Sequence, residues 1–190
     1  MDWNILIDVF LKKNSELNLS AIRDVEWVRV KHIEDSLKLL ETWILRSWMK
    51  VVDVWTWWWF PLMPLALSCP DIEFVWIDSV KKKTVAVNEM LSTLWAKNAK
   101  VIWTRMEEYK GQEFDVLTAR AVAYSDKLLS WSYGLIKKWW YFLLMKQIIE
   151  EEKEVLLKLC KKYHLSLEKE TKYQLYEWDI DRVIYVIKKN

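Results

Sequence analysis

The stretch Val51-Val52-Asp53-Val54-Trp55-Thr56-Trp57-Trp58-Trp59-Phe60-Pro61 decides the fold of this chain. It begins with a β-branched run that contains an acidic residue, and a helical pattern follows Pro61, so a short loop separates a buried strand from a helix. A strand, loop and helix of this kind open a nucleotide-binding βαβ unit. Its loop needs glycine, because the backbone turns with positive φ and passes close to a ligand. Here tryptophan occupies most of the loop.

Tryptophan replaces glycine along the whole chain. The 190 residues include 15 Trp and 2 Gly, whereas ordinary usage of ~7% Gly predicts roughly 13. Several tryptophans occupy turn positions that favour glycine: Trp48 before a strand, Trp95 after a helix, and Trp139-Trp140 after Lys137-Lys138. We hypothesise that most of these codons are UGA, which the source organism reads as glycine. A genuinely tryptophan-rich protein, with an aromatic binding face or a membrane-interface belt, is the alternative.

Length, charge and cysteine content limit the class of protein. The chain fits one domain, 1–190, divided into a helical extension, 1–47, and a core, 48–190. With 53% hydrophobic residues and a net charge of +2, the composition is that of a soluble globular protein and does not by itself indicate a nucleic-acid binder. Cys69 and Cys160 lack partners at metal or redox spacing, so we expect no metal site and a reducing compartment. Without a basic leader or a long apolar segment, we expect a cytoplasmic protein that does not contact a membrane.

The spacing of apolar residues predicts an alternation of strands and helices. Two helices come first, at 4–17 and from the N-cap residue Asp24 to about Glu41. Predicted strands then lie near 49–54, 72–78, 99–103, 114–118 and 140–146, and predicted helices near 61–68, 81–95, 125–136 and 148–163. Two last strand-like runs, 165–176 and 182–188, predict a hairpin. The fold class is therefore α/β: a Rossmann-like, mostly parallel seven-stranded sheet with a terminal antiparallel hairpin.

The residues at the strand ends narrow the type of ligand. With glycine restored, the loop is compatible with nicotinamide, flavin or S-adenosylmethionine. Asp78 ends the second predicted strand, where a carboxylate can accept hydrogen bonds from ribose hydroxyls; a structural role at the start of the next helix is the alternative. Asp53 just before the loop, together with the terminal hairpin, favours a methyltransferase over a dehydrogenase.

Several motifs in a fixed order resemble the glucose-inhibited division protein B family, the bacterial 16S ribosomal RNA guanine-N7 methyltransferases called RsmG. Within that family the fold is a class I methyltransferase. Trp55, Trp57 and Trp59 fall on the family's glycines, and Leu62 replaces a residue that is often small. The matching segments span nearly the whole sequence: 18–24, 32–36, 53–65, Asp78-Ser79 with Lys82-Lys83, Arg105-Met106-Glu107-Glu108, Phe114-Asp115, Arg120-Ala121 and 182–188.

The resemblance implies S-adenosylmethionine as the methyl donor and 16S ribosomal RNA, in the small subunit or an assembly intermediate, as the substrate. It also implies roles for individual residues. The loop (Trp55, Trp57, Trp59 and Phe60) would hold the donor, and Asp78 would bind its ribose. Met106 and Glu107 would contact the edge of the adenine. Arg120 would lie where the cofactor meets the substrate. Candidate RNA contacts are Arg23, Lys31, His32 and Lys146. His32, which shares a helix with Asp35 and Ser36, can instead be a structural hydrogen-bond hub; Met106 can be a core residue, and Glu107 with Glu108 a solvated helix start.

The target atom determines the expected mechanism. Guanine N7 carries a lone pair and no proton, so methyl transfer needs in-line positioning and no general base. The fourth strand is followed by Thr118-Ala119-Arg120-Ala121 and not by the Asn/Asp-Pro-Pro-aromatic motif associated with methylation of exocyclic amino groups. Arg120 can bind guanine O6 or a phosphate through its planar fork. A noncatalytic RNA- or ribosome-binding module and a NAD-dependent oxidoreductase remain the alternatives.

Overall fold

A seven-stranded sheet organises the computed structural model, which describes residues 2–18, 20–54, 59–120, 125–176 and 181–190. The strand order is β3-β2-β1-β4-β5-β7-β6. Neighbouring strands from β3 to β5 are parallel, and β7 is antiparallel to both β5 and β6, so the predicted fold class is confirmed. The strands are β1 (Lys50–Val54), β2 (Glu73–Asp78), β3 (Ala99–Trp103), β4 (Phe114–Arg120), β5 (Ile136–Gln147), β6 (Leu165–Tyr173) and β7 (Arg182–Lys189).

Helices precede the sheet and cover its two faces. The predicted N-cap at Asp24 is present, because its side chain accepts hydrogen bonds from the backbone N–H groups of Glu26 and Trp27. The helices are α1 (Trp3–Leu17), α2 (Val25–Val28), α3 (Asp35–Leu37), α4 (Leu62–Ser68), α5 (Lys81–Thr93), α6 (Ser125–Ser132) and α7 (Glu150–Lys162). A π-helical turn, Arg29–Glu34, joins α2 to α3, and a 3-10 turn, Lys38–Thr42, follows α3. None of the helices in the described part of the chain is long and apolar enough to cross a membrane.

Alternate residues of the central strands point to opposite faces of the sheet. Val51 of β1 and Val116 of β4 belong to the apolar cluster that includes residues of α1, α4 and α5. Val52 and Leu117, their chain neighbours, belong to the cluster that includes residues of α6 and α7. The two clusters fix the register of the sheet, since a shift by one residue would exchange the faces.

The region around Trp139 differs from the prediction. Trp139 was expected in a turn just before a strand near 140–146, but it lies inside β5, which already begins at Ile136. The pairing of β4 with β5 shifts register between Phe114 and Val116, which is a bulge or a comparable irregularity. Trp139 lies in this irregular part with φ of 73°. A bulge accommodates a positive φ within a strand and favours glycine there. The turn predicted at Trp139 was therefore wrong, while its positive φ is consistent with the glycine hypothesis.

Tryptophan accounts for most of the positive φ angles in the described residues. Seven residues other than glycine have such angles, and besides Asn18 and His164 they are Trp43, Trp48, Trp59, Trp95 and Trp139. A left-handed backbone costs a residue with a Cβ atom roughly 1–2 kcal/mol, and asparagine is among the few side chains that tolerate it. Trp43 follows a 3-10 turn and Trp95 follows α5, where glycine commonly ends a helix. The backbone at these five positions therefore has the conformation that glycine prefers.

Trp48 tests this conclusion directly. It is 86% exposed and has φ of 70°, so its indole adds little packing while its backbone is strained. We expect Trp48→Gly to raise the free energy of unfolding in urea by about 1 kcal/mol, and Trp48→Ala to give no such gain because its Cβ atom retains the strain. Trp103→Gly is the control, since Trp103 is exposed within β3 and donates a hydrogen bond to the carbonyl of Ser79. That control should destabilise the protein; a gain for Trp48→Ala equal to that for glycine would contradict the conclusion.

Candidate functional site

A cavity opens at the carboxyl ends of β2 and β3. Its volume is about 460 Å³, and its lining includes Ile77, Asp78, Lys83, Arg105, Met106 and Glu107. Because β1 lies beside β2, the loop that follows Val54 starts at the same edge of the sheet. Ligands of open α/β sheets bind outside the carboxyl ends of the strands, and the volume is in the usual range for a small-molecule site. Trp55 and Trp57, which were predicted to bind a cofactor, lie outside the described residues.

Asp78 uses its two carboxylate oxygens differently. Oδ1 accepts a hydrogen bond of 2.7 Å from the backbone N–H of Val80, the residue that precedes α5. Oδ2 lies 3.8 Å from the Nζ of Lys83, and the side chain is 17% exposed in the cavity wall. One oxygen therefore organises the start of the helix, as the structural alternative predicted. The other remains at the cavity, where a ribose hydroxyl could donate to it.

Met106 and Glu107 follow β3 in a short 3-10 turn and reach the same cavity. Met106 is 8% exposed and packs in the apolar cluster beneath the cavity, so it is both a core residue and a wall of the site. Glu107 is exposed at the rim. Asp78, Met106 and Glu107, which the resemblance assigns to one ligand, thus line one cavity. An apolar wall beside exposed polar groups suits an adenine ring, whose faces are apolar and whose edge is polar.

Trp59 and Phe60 are turned away from the cavity. Each is 3% exposed and belongs to the apolar cluster on the face of α1. Trp59 contacts the edge of Phe10, and Phe60 stacks on His32 with ring centroids 4.6 Å apart. Their side chains therefore pack the core, and any contact of these two residues with a cofactor would come from the backbone.

Arg120, at the end of β4, is held by the helical extension. Its Nη1 lies 3.1 Å from Oδ2 of Asp35 and donates to the carbonyl oxygen of Lys31, while its Nη2 donates to Nδ1 of His32 at 3.0 Å. The side chain keeps 18% of its surface exposed. Burial lowers the pKa of Arg120, and the nearby Asp35 carboxylate opposes that effect. The planar fork predicted for guanine or phosphate is thus engaged in large part with the protein.

Asp35 gathers groups from three strands. It is 1% exposed, its Oδ1 accepts a hydrogen bond of 2.7 Å from the phenol of Tyr173, and Arg182 lies 3.8 Å from the same oxygen. Tyr173 ends β6 and Arg182 begins β7, whereas Arg120 ends β4. Burial and the carboxylate raise the pKa of Tyr173, which keeps the phenol protonated and able to donate. Tyr173 and Arg182 were not among the predicted site residues, and their separation from Asp35 along the chain left no local signal.

His32 is buried and electrically neutral. It is 3% exposed, and burial together with the positive charge of Arg120 lowers its pKa to about 3. A guanidinium can only donate, so Nδ1 of His32 accepts and the ring proton resides on Nε2. Nε2 in turn lies 3.4 Å from the hydroxyl of Ser20. The structural alternative for His32, a hydrogen-bond hub, fits this geometry better than a place on an exposed RNA-binding face.

The hub continues into the first helix. Asn14, at 1% exposure, donates to the carbonyl oxygens of Ser20 and Ile22, and its own side-chain oxygen accepts from the backbone N–H of Ser20. The hydroxyl of Ser20 accepts from the N–H of Ile22. A continuous chain of polar contacts therefore runs from α1 through His32 to Arg120 at the sheet edge.

The other candidate RNA contacts differ in exposure. Arg23 is exposed and donates to the side chain of Asn18. Lys31 places its Nζ 4.4 Å from the ring centroid of Trp27, which is 43% exposed. Lys146 is 9% exposed and pairs with Glu152 at 2.7 Å, so a structural role fits it at least as well. Among the described residues, no group of three or more histidine, cysteine or acidic side chains is arranged to hold a metal ion.

Comparisons of the sequence and of the fold relate this chain to known proteins. The family model GidB, described as rRNA small subunit methyltransferase G, matches residues 2–177. Ribosomal RNA small subunit methyltransferase G of Legionella pneumophila is 36% identical over 140 residues, which cover 70% of this chain and 64% of that protein. The enzyme of the same name from Haemophilus ducreyi is 36% identical over 124 residues, 65% of this chain and 60% of that protein. The match thus spans less than two thirds of these relatives. A SAM-dependent methyltransferase from Aquifex aeolicus has the same fold, with a TM-score of 0.68, 17% identity and coverage of 93% and 97% of the two chains.

The buried state of His32 predicts a pH dependence of stability. Its pKa is about 3 in the folded protein and about 6.5 in an unfolded chain. Because the unfolded state binds the proton more readily, stability is complete above pH 6.5 and is lost as the pH falls from 6.5 towards 3. Between pH 6.5 and 5 this residue alone should remove about 2 kcal/mol from the free energy of unfolding.

The measurement is urea unfolding at several pH values. His32→Asn, whose amide oxygen can replace Nδ1 as the acceptor for Arg120, should be less stable at pH 7 but should show a weaker dependence on pH. His164→Asn is the matched control, since His164 is exposed, and it should keep the pH dependence of the original protein. An unchanged pH dependence in His32→Asn would show that folding does not shift the pKa of His32.

Proposed function

We propose, since the chain belongs to the GidB family, that it transfers a methyl group from S-adenosylmethionine to N7 of a guanine in 16S ribosomal RNA. The observation that carries this proposal is the cavity at the carboxyl ends of β2 and β3, in which Asp78, Met106 and Glu107 meet. A carboxylate for the ribose and an apolar wall for the adenine suit an adenosine-containing ligand. Asp53, 1% exposed and next to the last residue of β1, accepts a hydrogen bond from Thr118 of β4 and so ties the ends of these two strands together.

Methyl transfer to guanine N7 does not require a general acid or base. S-adenosylmethionine supplies an electrophilic methyl group, and guanine N7 needs no deprotonation before it attacks. His32 is unsuited to be a general base, because its pKa is about 3 and both ring nitrogens have partners. The residues of this chain would therefore act by binding, orienting the base and excluding water. Arg120 stands at the strand end nearest to that reaction, with 18% of its side chain exposed towards solvent.

The substrate would be 16S ribosomal RNA within the small subunit or an assembly intermediate, in the cytoplasm. Arg23 and Lys31, which lie on the helical extension with exposed or half-buried side chains, are the candidate contacts with the RNA backbone. His32, which contacts Arg120 and Ser20, would support that face from the interior. Lys146, a weaker candidate, pairs with Glu152 of α7, which packs on the other face of the sheet. Many weak phosphate contacts are expected to share the affinity, which should fall with increasing salt.

The tryptophans bear on whether this site can work. Five described tryptophans have left-handed backbone angles that favour glycine, which supports the hypothesis that the chain carries glycine there and in the loop at 55–58. An indole in a loop that must approach the donor would block its path. The functional protein would then have glycine at 55, 57, 58 and 59, and mass spectrometry of its peptides from the source organism would identify these residues.

Donor binding by two forms of the chain tests the function. One form keeps the tryptophans, and the other carries Trp55→Gly, Trp57→Gly, Trp58→Gly and Trp59→Gly. We expect only the glycine form to bind S-adenosylmethionine in isothermal titration, to ignore NAD, and to incorporate tritiated methyl into 30S subunits from a strain that lacks the endogenous enzyme. The product nucleoside, identified by mass spectrometry, should be 7-methylguanosine. A different methylated nucleoside would refute the proposal. Binding of NAD would favour an oxidoreductase. Binding of RNA without binding of the donor would favour a noncatalytic module.

Asp78 offers a finer test, because its two oxygens have separable roles. Asp78→Asn retains an oxygen for the N–H of Val80 but loses the charge that strengthens a hydrogen bond from ribose. We expect the affinity for S-adenosylmethionine to fall by about 1.5–3 kcal/mol, with thermal stability and RNA affinity little changed. Asp71→Asn is the control, because Asp71 is exposed at the opposite end of β2, and it should bind the donor normally. A loss of stability in Asp78→Asn with full donor affinity would mark Asp78 as structural.

A further inference from the structure

Two arginines share one buried carboxylate at the carboxyl edge of the sheet. Asp35 lies 3.1 Å from Nη1 of Arg120 and 3.8 Å from Nη1 of Arg182. The arginine side chains are 18% and 20% exposed, whereas the carboxylate is 1% exposed. Positive charge therefore reaches the surface at this edge of the sheet, and the carboxylate of Asp35 lies within 4 Å of both guanidinium groups.

The carboxylate is fixed in place from several sides. The phenol of Tyr173 donates to Oδ1 at 2.7 Å, while Arg120 is itself held by His32 and by the carbonyl of Lys31. Since these partners come from separate elements, Asp35 cannot turn away without breaking contacts in more than one of them. The position of its charge relative to Arg120 is therefore set by the fold.

The strand order places this charge relative to the proposed donor. The residues proposed for adenine and ribose follow β3 and end β2, and the next strands along the edge are β1 and then β4. A donor laid across the edge in that direction points its sulfonium towards β1 and β4, and Arg120 ends β4. Neighbouring strands are ~4.8 Å apart, so a cationic sulfur and a guanidinium would lie within about two strand spacings.

We propose that Asp35 is a positioning residue whose charge offsets that of Arg120, so that the edge of the sheet accepts a cationic methyl donor. The proposal rests on the function proposed above. In the transfer, the lone pair of N7 forms the new C–N bond while the electrons of the S–C bond stay on sulfur. One positive charge then passes from sulfur to the base and no proton moves. A cation is thus present before and after the reaction, and an uncompensated guanidinium would repel it in both states.

A comparison of two ligands separates this role from a structural one. S-adenosylmethionine and S-adenosylhomocysteine share nearly all contacts but differ in the charge on sulfur. Asp35→Asn keeps the shape of the side chain and removes its charge, so the affinity for S-adenosylmethionine should fall about tenfold relative to that for S-adenosylhomocysteine. General damage to the site would weaken both ligands alike. RNA affinity should be retained, since added positive charge favours phosphate.

Arg120→Gln should change the ratio of the two affinities in the opposite direction. It leaves Asp35 with less positive charge beside it, so the preference for the cationic ligand should rise. The double variant Asp35→Asn with Arg120→Gln should return the ratio of affinities towards that of the glycine form with Asp35 and Arg120 intact. If Asp35→Asn alone does not fold, the comparison of Arg120→Gln with the double variant still isolates the charge of Asp35, because the double variant buries no unpaired charge of that ion pair.

The experiment is isothermal titration of both ligands, at one salt concentration, with the form of the chain that binds the donor. Asp115→Asn is the matched control: Asp115 is 8% exposed and pairs with Lys137 at 2.7 Å, but it lies near the amino end of β4. It should lower stability and leave the ratio of affinities unchanged. If Asp35→Asn leaves the ratio of the two affinities unchanged, the inference is wrong. The same holds if adding Asp35→Asn to Arg120→Gln leaves that ratio unchanged. Either result would leave the proposed function intact. If the glycine form of the chain binds neither ligand, the proposed function fails and this inference fails with it.

Discussion

The buried ion pair between Asp35 and Arg120 joins the two parts of the chain. Asp35 belongs to the helical extension and Arg120 to the strand beside β1, so the pair fixes the extension against the edge where the candidate cofactor site lies. Removing one member of a buried pair typically costs about 3–5 kcal/mol, because the other charge is left without compensation. Burial is the main reason that His32 is neutral, and the guanidinium that faces Asp35 adds to the effect because it also donates to the His32 ring.

Local sequence patterns predicted the elements of the fold well. The alternation of strands and helices gave the parallel part of the sheet, and Asp24 marked the start of α2 because an N-cap is a property of a few adjacent residues. The strand pattern indicated Asp78, whereas Met106 and Glu107 were assigned to the same ligand only through the family resemblance; all three line one cavity. The irregular pairing of β5 at Trp139 could not be predicted in this way, because a register shift depends on the partner strand.

The rest of the candidate site could not be predicted because its contacts are long-range. Asp35 and Tyr173 are 138 positions apart, and no periodicity connects them. The sequence suggested that His32 works with Asp35 on one helix, whereas Arg120, from a strand, bridges the two. Phe60 was predicted at the cofactor, yet its ring stacks on His32, because a large apolar side chain beside the core gains more from burial than from a place at the cavity rim.

The left-handed tryptophans also bear on stability. At roughly 1–2 kcal/mol for each such residue, the five positions together would cost on the order of 5–10 kcal/mol, which is comparable with the whole stability of an ordinary domain. Four of them, Trp43, Trp48, Trp95 and Trp139, are more than half exposed, so little burial offsets the cost. A chain with glycine at these positions would avoid most of this strain.

The position of β7 has a consequence for how the sheet is assembled. β6 pairs with β7, and β7 lies between β6 and β5, although it comes later in the chain than both. During synthesis β6 emerges before β7, the strand that attaches it to the sheet. The edge of β5 also remains unpaired until β7 has been made. Of the seven strands, β7 is therefore the last to be synthesised and the last that can pair. Until it pairs, β5 and β6 each present an unpaired edge that chaperones or neighbouring nascent chains can bind.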